Sequence, residues 1–159
     1  MSEEEFAKNL DQWHRRLFAF AVFRLGNPTD AEDAVQETAF KAFRHCRDFR
    51  AESSFATWIF EILRNVIRDV YRKRGRMTFV GLEGLEWLPG GSFSPEERAR
   101  VLQAVSRLRE KQRETLFLWL AGLDCCEIAD LHGVPHGTVR AQVSRVNKKV
   151  RELLAGEGN

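Results

Sequence analysis

A chain of 159 residues with 43% hydrophobic content, including twelve Phe and four Trp, can bury one or two small cores and falls outside the disordered class. No run approaches the eighteen or more apolar residues of a membrane span, and the acidic start MSEEEFAKNL is unlike the basic opening of a secretory signal, so a cytosolic protein without membrane insertion is expected. The net charge of +2 is unevenly placed: Arg72, Lys73, Arg74 and Arg76 form one basic knot and Arg140 to Arg151 another, whereas Met77 to Glu97 has no Lys or Arg.

Phe6, Leu10, Trp13, Leu17, Phe20 and Leu25 recur at helical spacing, which predicts a long first helix stopped by Gly26 and Pro28. Asp30 is placed to cap a second helix, with Ala34, Val35, Thr38, Ala42 and Phe43 as its inner stripe and its end near His45. A short polar loop follows. Ser54 can then cap a third helix in which Phe55, Trp58, Ile59, Ile62, Leu63, Val66, Ile67, Val70 and Tyr71 repeat with a period of about 3.6. Its other face carries Glu61, Arg64, Asn65, Arg68, Asp69 and Arg72, and Gly75 ends it.

Residues 77–94 mix Gly and Pro with Phe79, Val80, Leu82, Trp87 and Phe93 without a clean period, and read as a linker. So apolar a segment should pack on something in a working complex. From Ser94 to Glu97, "SPEE" puts a capping Ser, a Pro at the first helical position and a Glu at the third, so a second helical domain begins there. Helices are expected over 95–108 and 111–121, and no β-strand is expected anywhere. The fold class is all-α: residues 1–76 and 95–159 as two small helical domains, the second carrying a helix-turn-helix.

Asp124 and Glu127 have capping-box spacing and open a short helix from Cys125 to about Leu131. Gly133 can take the left-handed conformation of a tight turn, and Pro135 suits the start of the next helix. Ala129, Gly133 and Val139 have the spacing of a helix-turn-helix. On a wheel of about 100° per residue, Val139, Val143, Val146 and Val150 fall within roughly 60° and would anchor the second helix. The opposite side carries Arg140, Ala141, Ser144, Arg145 and Lys148, with Thr138 in the N-terminal turn and Lys149 and Arg151 farther along. A helix entering the DNA major groove needs close approach, forked donors for guanine edges and cations for phosphates, and this face offers all three.

Two longer stretches carry a resemblance. "DAEDAVQETAFKAF", Asp30 to Phe43, followed by "FRAESSFATWIFEILRNVIRDVYRKR", resembles region 2 of a bacterial sigma factor. "LREKQRETLFLWLAGLDCCEIADLHGVPHGTVRAQVSRVNKKVREL" is similar to region 4 of the same family. With both regions in that order and a short linker between, the chain looks like the extracytoplasmic-function type.

The resemblance implies a subunit that joins core RNA polymerase, recognises the −35 element of promoter DNA with region 4 and recognises and opens the −10 element with region 2. Asp33, Gln36 and Glu37 match the family's core-binding pattern and share one helix face, where they would meet the clamp helices of the large polymerase subunit. The loop from Phe49 to Phe55 and the start of the third helix correspond to the −10 reader. Candidates there are Phe49, Arg50, Ser53, Ser54, Phe60, Arg64, Asn65 and Arg68, since capture of an unstacked base needs aromatic or polar walls and nearby cations. Phe55 and Trp58 fit the buried stripe and are read as core. Arg72, Lys73, Arg74 and Arg76, with Lys149 and Arg151, would hold phosphates. An anti-sigma factor is the expected regulatory partner.

The chain departs from the family at Cys125 and Cys126, where an aromatic and an acid are common, and at Arg109, where a Pro often follows the preceding Leu. Two adjacent cysteines and His132 lack a fourth metal ligand at suitable spacing, so reduced, buried or half-buried thiols are expected, with no metal and no cofactor. No nucleophile with its base and no phosphate-binding Gly loop is apparent, and no catalysis by this chain alone is expected. Two rival readings are a stand-alone helix-turn-helix regulator and a thiol-based sensor.

Overall fold

The stretches with a helical apolar period are helices, and most of them begin at a side-chain cap. The structure, a computed structural model, describes residues 1–75, Gly84 and 94–156. The chain divides into two units, Met1–Pro89 and Gly90–Asn159. Among the described residues there is no β-strand.

The first unit holds α1 (Glu3–Leu25), α2 (Pro28–His45), a single 3₁₀ turn (Cys46–Asp48) and α3 (Phe55–Arg74). Ser2 starts α1 with a reciprocal capping box: its hydroxyl accepts from the Glu5 N–H at 3.2 Å, and its own N–H donates to the Glu5 carboxylate at 3.0 Å. Gly26 ends α1 in the left-handed conformation (φ 84°), its N–H donating to the Val22 carbonyl at 2.8 Å.

The second helix starts earlier than expected. Asn27, not Asp30, is the cap, with its side-chain oxygen accepting from the Asp30 N–H at 2.8 Å. Pro28 then occupies the first helical position, where a missing N–H costs nothing. Asp30 is thereby released for another role: its carboxylate lies 2.7 Å from Arg74 Nη1 at the far end of α3.

Leu17, Phe20, Phe23, Ile59, Phe60, Leu63 and Val66 make the core of this unit. Phe60 is fully buried, its ring 5.6 Å from that of Phe20 and 6.0 Å from that of Trp13, both edge-on as aromatic pairs prefer. A second aromatic group forms around Phe6, which packs on Phe43, Phe55 and Trp58 at 5.8, 6.2 and 6.5 Å. Phe43, expected inside, is 46% exposed because it lies at the rim of this group. Tyr71 donates to the Arg24 carbonyl at 2.8 Å and so ties the last turns of α3 and α1 together.

Of the predicted linker before Ser94, the described residue is Gly84, and it is buried. It adopts φ +107°, and a Cβ there would run into the Ala19 carbonyl oxygen and come within 2.9 Å of the Phe23 nitrogen. At this point the segment packs on α1 of its own unit, so close that only glycine fits.

The second unit holds α4 (Pro95–Ser106), α5 (Glu110–Leu120), α6 (Cys125–His132) and α7 (His136–Gly156). Capping boxes at Ser94 and Asp124 open α4 and α6 as the sequence predicts. α4 stops two residues short of the expected end, and α5 begins after an extended Arg109 whose N–H donates to Gln112 Oε1 at 3.1 Å. The Gln112 side chain thus closes a turn where the family often has Pro. α7 packs against the other three helices, and its Val139, Val143 and Val146 are buried, as are Ala104, Phe117, Leu118 and Ile128 of those helices.

Candidate nucleic-acid interface

Three surfaces gather the residues singled out by the sequence. The first is the outward face of α7. Gly133 sits in the left-handed region (φ 67°) between α6 and α7, its N–H donating to the Ala129 carbonyl, and the chain reverses there as a helix-turn-helix requires. With Val139 and Val146 turned inward, Thr138, Arg140, Ala141, Ser144, Arg145 and Lys148 are all exposed, as are Lys149 and Arg151. Ser144, Lys148 and Arg151 line one depression on this face together with Asn147 and Glu152, which sequence reasoning did not select. On the face as a whole, small Ala141 and Ser144 lie among the cations Arg140, Arg145 and Lys148, a layout suited to base edges and phosphates, while Glu152 adds one carboxylate to the depression.

The second surface is the loop before α3. Asp48, Phe49, Arg50, Glu52, Ser53 and Trp58 line an open pocket of about 210 Å³. Its aromatic wall is a pair of rings, Phe49 and Trp58, with centroids 4.8 Å apart and planes inclined by 41°. Ala51, a non-glycine residue at φ +55°, bends the loop over it. A left-handed alanine is mildly strained, and such strain is held only where surrounding structure enforces it.

The candidates for this site separate into three groups. Phe49, Arg50 and Ser53 line the pocket. Ser54 is its support: its hydroxyl accepts from the Thr57 N–H at 3.1 Å and caps α3. Arg64, Asn65 and Arg68 lie beyond on the polar side of α3, with Arg64 half-buried and the other two exposed. Phe60 does not belong to the site, because its ring is wholly inside the core between Phe20 and Trp13. Trp58, read from the sequence as core, does double duty: one side packs on Phe6 and Phe55, the other walls the pocket.

The basic knot is likewise divided. Arg72 and Lys73 are exposed, Arg72 lying 3.6 Å from Asp69. Arg74, expected on phosphate, is committed to Asp30. Hydrogen bonding from Arg74 first, and from Asn27 second, holds the Asp30 carboxyl below the usual carboxylate range, and the same contact raises Arg74 above its own. Arg76 lies outside the described residues.

The third surface is on α2. Asp33, Gln36 and Glu37 are exposed on one face, and Glu37 also meets Lys41 at 3.3 Å. Phe40, overlooked in the sequence, extends the same face at 63% exposure, with the Arg44 guanidinium 5.6 Å from its ring centre. A large aromatic left in water beside acids has the composition of a protein-binding patch.

Cys46 is buried, Cys125 half-buried and Cys126 exposed, and all three are free thiols. Exposure of Cys126 departs from expectation: at the second position of α6 its side chain points away from the stripe of Ile128, Ala129 and Leu131. Among the described residues no three His, Cys, Asp or Glu side chains are grouped to hold a metal ion, and no helix is long and apolar enough to cross a membrane.

The sigma-70 region 2 family matches residues 10–77. The chain is 35% identical over 149 residues to the ECF RNA polymerase sigma factor EcfG of Rhodopseudomonas palustris, covering 89% of this chain and 81% of that protein. Among solved structures, the sigma factor RpoE of Bartonella quintana, crystallised with the anti-sigma factor NepR, is 28% identical with a TM-score of 0.68, covering 96% of this chain and 98% of that one. CnrH, solved with the cytosolic domain of CnrY, is 25% identical with a TM-score of 0.65, covering 98% of this chain and 90% of that one. The chain belongs to the extracytoplasmic-function sigma factors of bacterial RNA polymerase, a family of transcription regulators.

Proposed function

We propose that the three surfaces divide promoter recognition among them. The face of α2 with Asp33, Gln36, Glu37 and Phe40 docks on the clamp helices of core RNA polymerase. The outward face of α7 reads the −35 element, with Arg140 and Arg145 reaching base edges and Lys148, Lys149 and Arg151 on phosphates. The loop pocket takes one unstacked base of the −10 element between Phe49 and Ser53, while Arg64, Asn65, Arg68, Arg72 and Lys73 follow the strand. The protein works in the cytosol, contributes no catalytic group of its own, and is held in check by an anti-sigma factor, a reading supported by RpoE crystallised with the anti-sigma factor NepR and by CnrH solved in complex with the cytosolic domain of CnrY.

The observation that carries this reading is the aromatic pocket walled by Phe49 and Trp58. A regulator that binds only duplex DNA has use for the helix-turn-helix but none for a cleft the size of one planar base. Opening the duplex needs such a cleft, because an extruded base must regain the stacking it loses. The test is binding of the polymerase-bound protein to promoter DNA whose −10 segment is single-stranded, against fully paired DNA. Preference for the unpaired template is expected, and equal binding to both would refute base capture.

A further inference from the structure

A buried pair of titratable side chains stands at the base of the helix-turn-helix. The side chain of His132, the last residue of α6, is 2% exposed, and that of Glu114 on α5 is 9% exposed. Their Nε2 and Oε1 atoms are 3.8 Å apart. A carboxylate taken out of water needs a compensating partner, and apolar residues would fill both positions more cheaply, so the pair calls for an explanation other than packing.

α6 packs on α5 and α7. The other charged side chains that α5 and α6 turn partly inward are Arg113 and Glu127, both half-buried, and Glu127 accepts from the Asp124 N–H at the opposite end of α6. The charged side chains described on α7 are exposed; His136, at its start, meets the exposed Asp130 of α6 at 3.3 Å. Among the described residues, Glu114 is a buried carboxylate that faces His132, at 3.8 Å.

We propose that His132 and Glu114 are positioning residues for α7: protonated His132, held by Glu114, clamps the end of α6 to α5, so that the turn at Gly133 delivers α7 to DNA at a fixed angle. The proposal rests on the reading of α7 as the −35 helix. Two features favour the protonated imidazole, the Glu114 carboxylate and the carbonyl groups that end α6, while burial opposes it. Because the carboxylate is buried too, the attraction is little screened, and the clamp requires that it outweigh the cost of burial. A clamp made by the protonated imidazole is complete at low pH and is lost as the pH rises through the folded-state titration of His132. Recognition by α7 weakens over the same range.

An NMR titration of the histidine side chains in the full chain, over about pH 5.5 to 8.5, reads the clamp directly, with H132L identifying the signal. His132 is expected to titrate above 6.5 in the unaltered protein, and E114Q should lower its proton affinity about tenfold or more, one pKa unit. H136N should leave that titration in place. An unchanged His132 titration in E114Q, or a His132 that stays neutral across the range, overturns the proposal. Should E114Q not fold, H132L decides: its thermal midpoint must lose pH dependence that the unaltered protein shows between about pH 6 and 8, and retained dependence overturns the clamp. Promoter affinity of the polymerase-bound protein should fall across this range and stay level in H132L. If no promoter DNA binds at any pH, the reading of α7 fails, while the imidazole titration still judges the clamp.

Discussion

Arg74 Nη1 lies 2.7 Å from Asp30 Oδ2, so the last turn of α3 is pinned to the first turn of α2. The contact holds the Asp30 carboxyl below its ordinary range. A carboxyl whose folded-state pKa is depressed contributes stability at pH above its unfolded value of about 3.9, and that contribution disappears as pH falls through the folded value. Thermal unfolding followed from neutral pH down to about pH 3 should therefore show an acid-sensitive component in the unaltered protein that D30N lacks.

Phe49 is half-buried, and its ring contact is with Trp58 rather than with the inner aromatic group, so F49A should leave the core intact. Loss of one stacking partner should cost roughly 1–3 kcal/mol in binding to single-stranded −10 DNA. Affinity for a duplex carrying only the −35 element should not change. Fluorescence of an adenine analogue in the −10 strand would follow the captured base.

Arg145 and Lys149 are both exposed cations on α7, yet they are assigned different work. R145A should cost roughly 1–3 kcal/mol on the preferred −35 sequence and little on others, as for a lost base contact. K149A should weaken binding to all sequences alike and reduce the slope of log affinity against log salt by about one. Binding titrations on matched and scrambled duplexes at several salt concentrations would separate the two.

Gly84 sits at φ +107° with no room for a Cβ against Ala19 and Phe23. G84A should destabilise the first unit by about 1–3 kcal/mol through backbone strain alone, and the collision with α1 should add to it. Chemical denaturation followed by tryptophan fluorescence would report the loss.

Much of this arrangement was legible locally. The caps at Ser54, Ser94 and Asp124, the stop at Gly26 and the turn at Gly133 follow from near-neighbour backbone demands, and the α7 valines from a simple period. The misreadings have two sources, one local and one not. Phe60 reads as a DNA contact for its aromatic ring near the loop, although Ala56, Phe60, Leu63 and Ile67 form an inner row. Asn27 and Pro28 already mark the start of α2 locally, whereas the pairing of Asp30 with Arg74, 44 positions later, is encoded by no local pattern. Phe40 and the clustered Glu114 and His132 became visible only when packing had fixed which face of each helix meets water.

The central claim is that this chain gives core RNA polymerase its choice of promoter. Transcription reconstituted from core polymerase, the purified protein and DNA bearing its matched −10 and −35 elements measures that claim most directly. Initiation at one defined start should require the protein and both elements, and should fail when Asp33, Gln36, Glu37 and Phe40 are replaced together by alanine. Unchanged output without the protein, or tight binding to an isolated palindromic duplex with no association with polymerase, would contradict it.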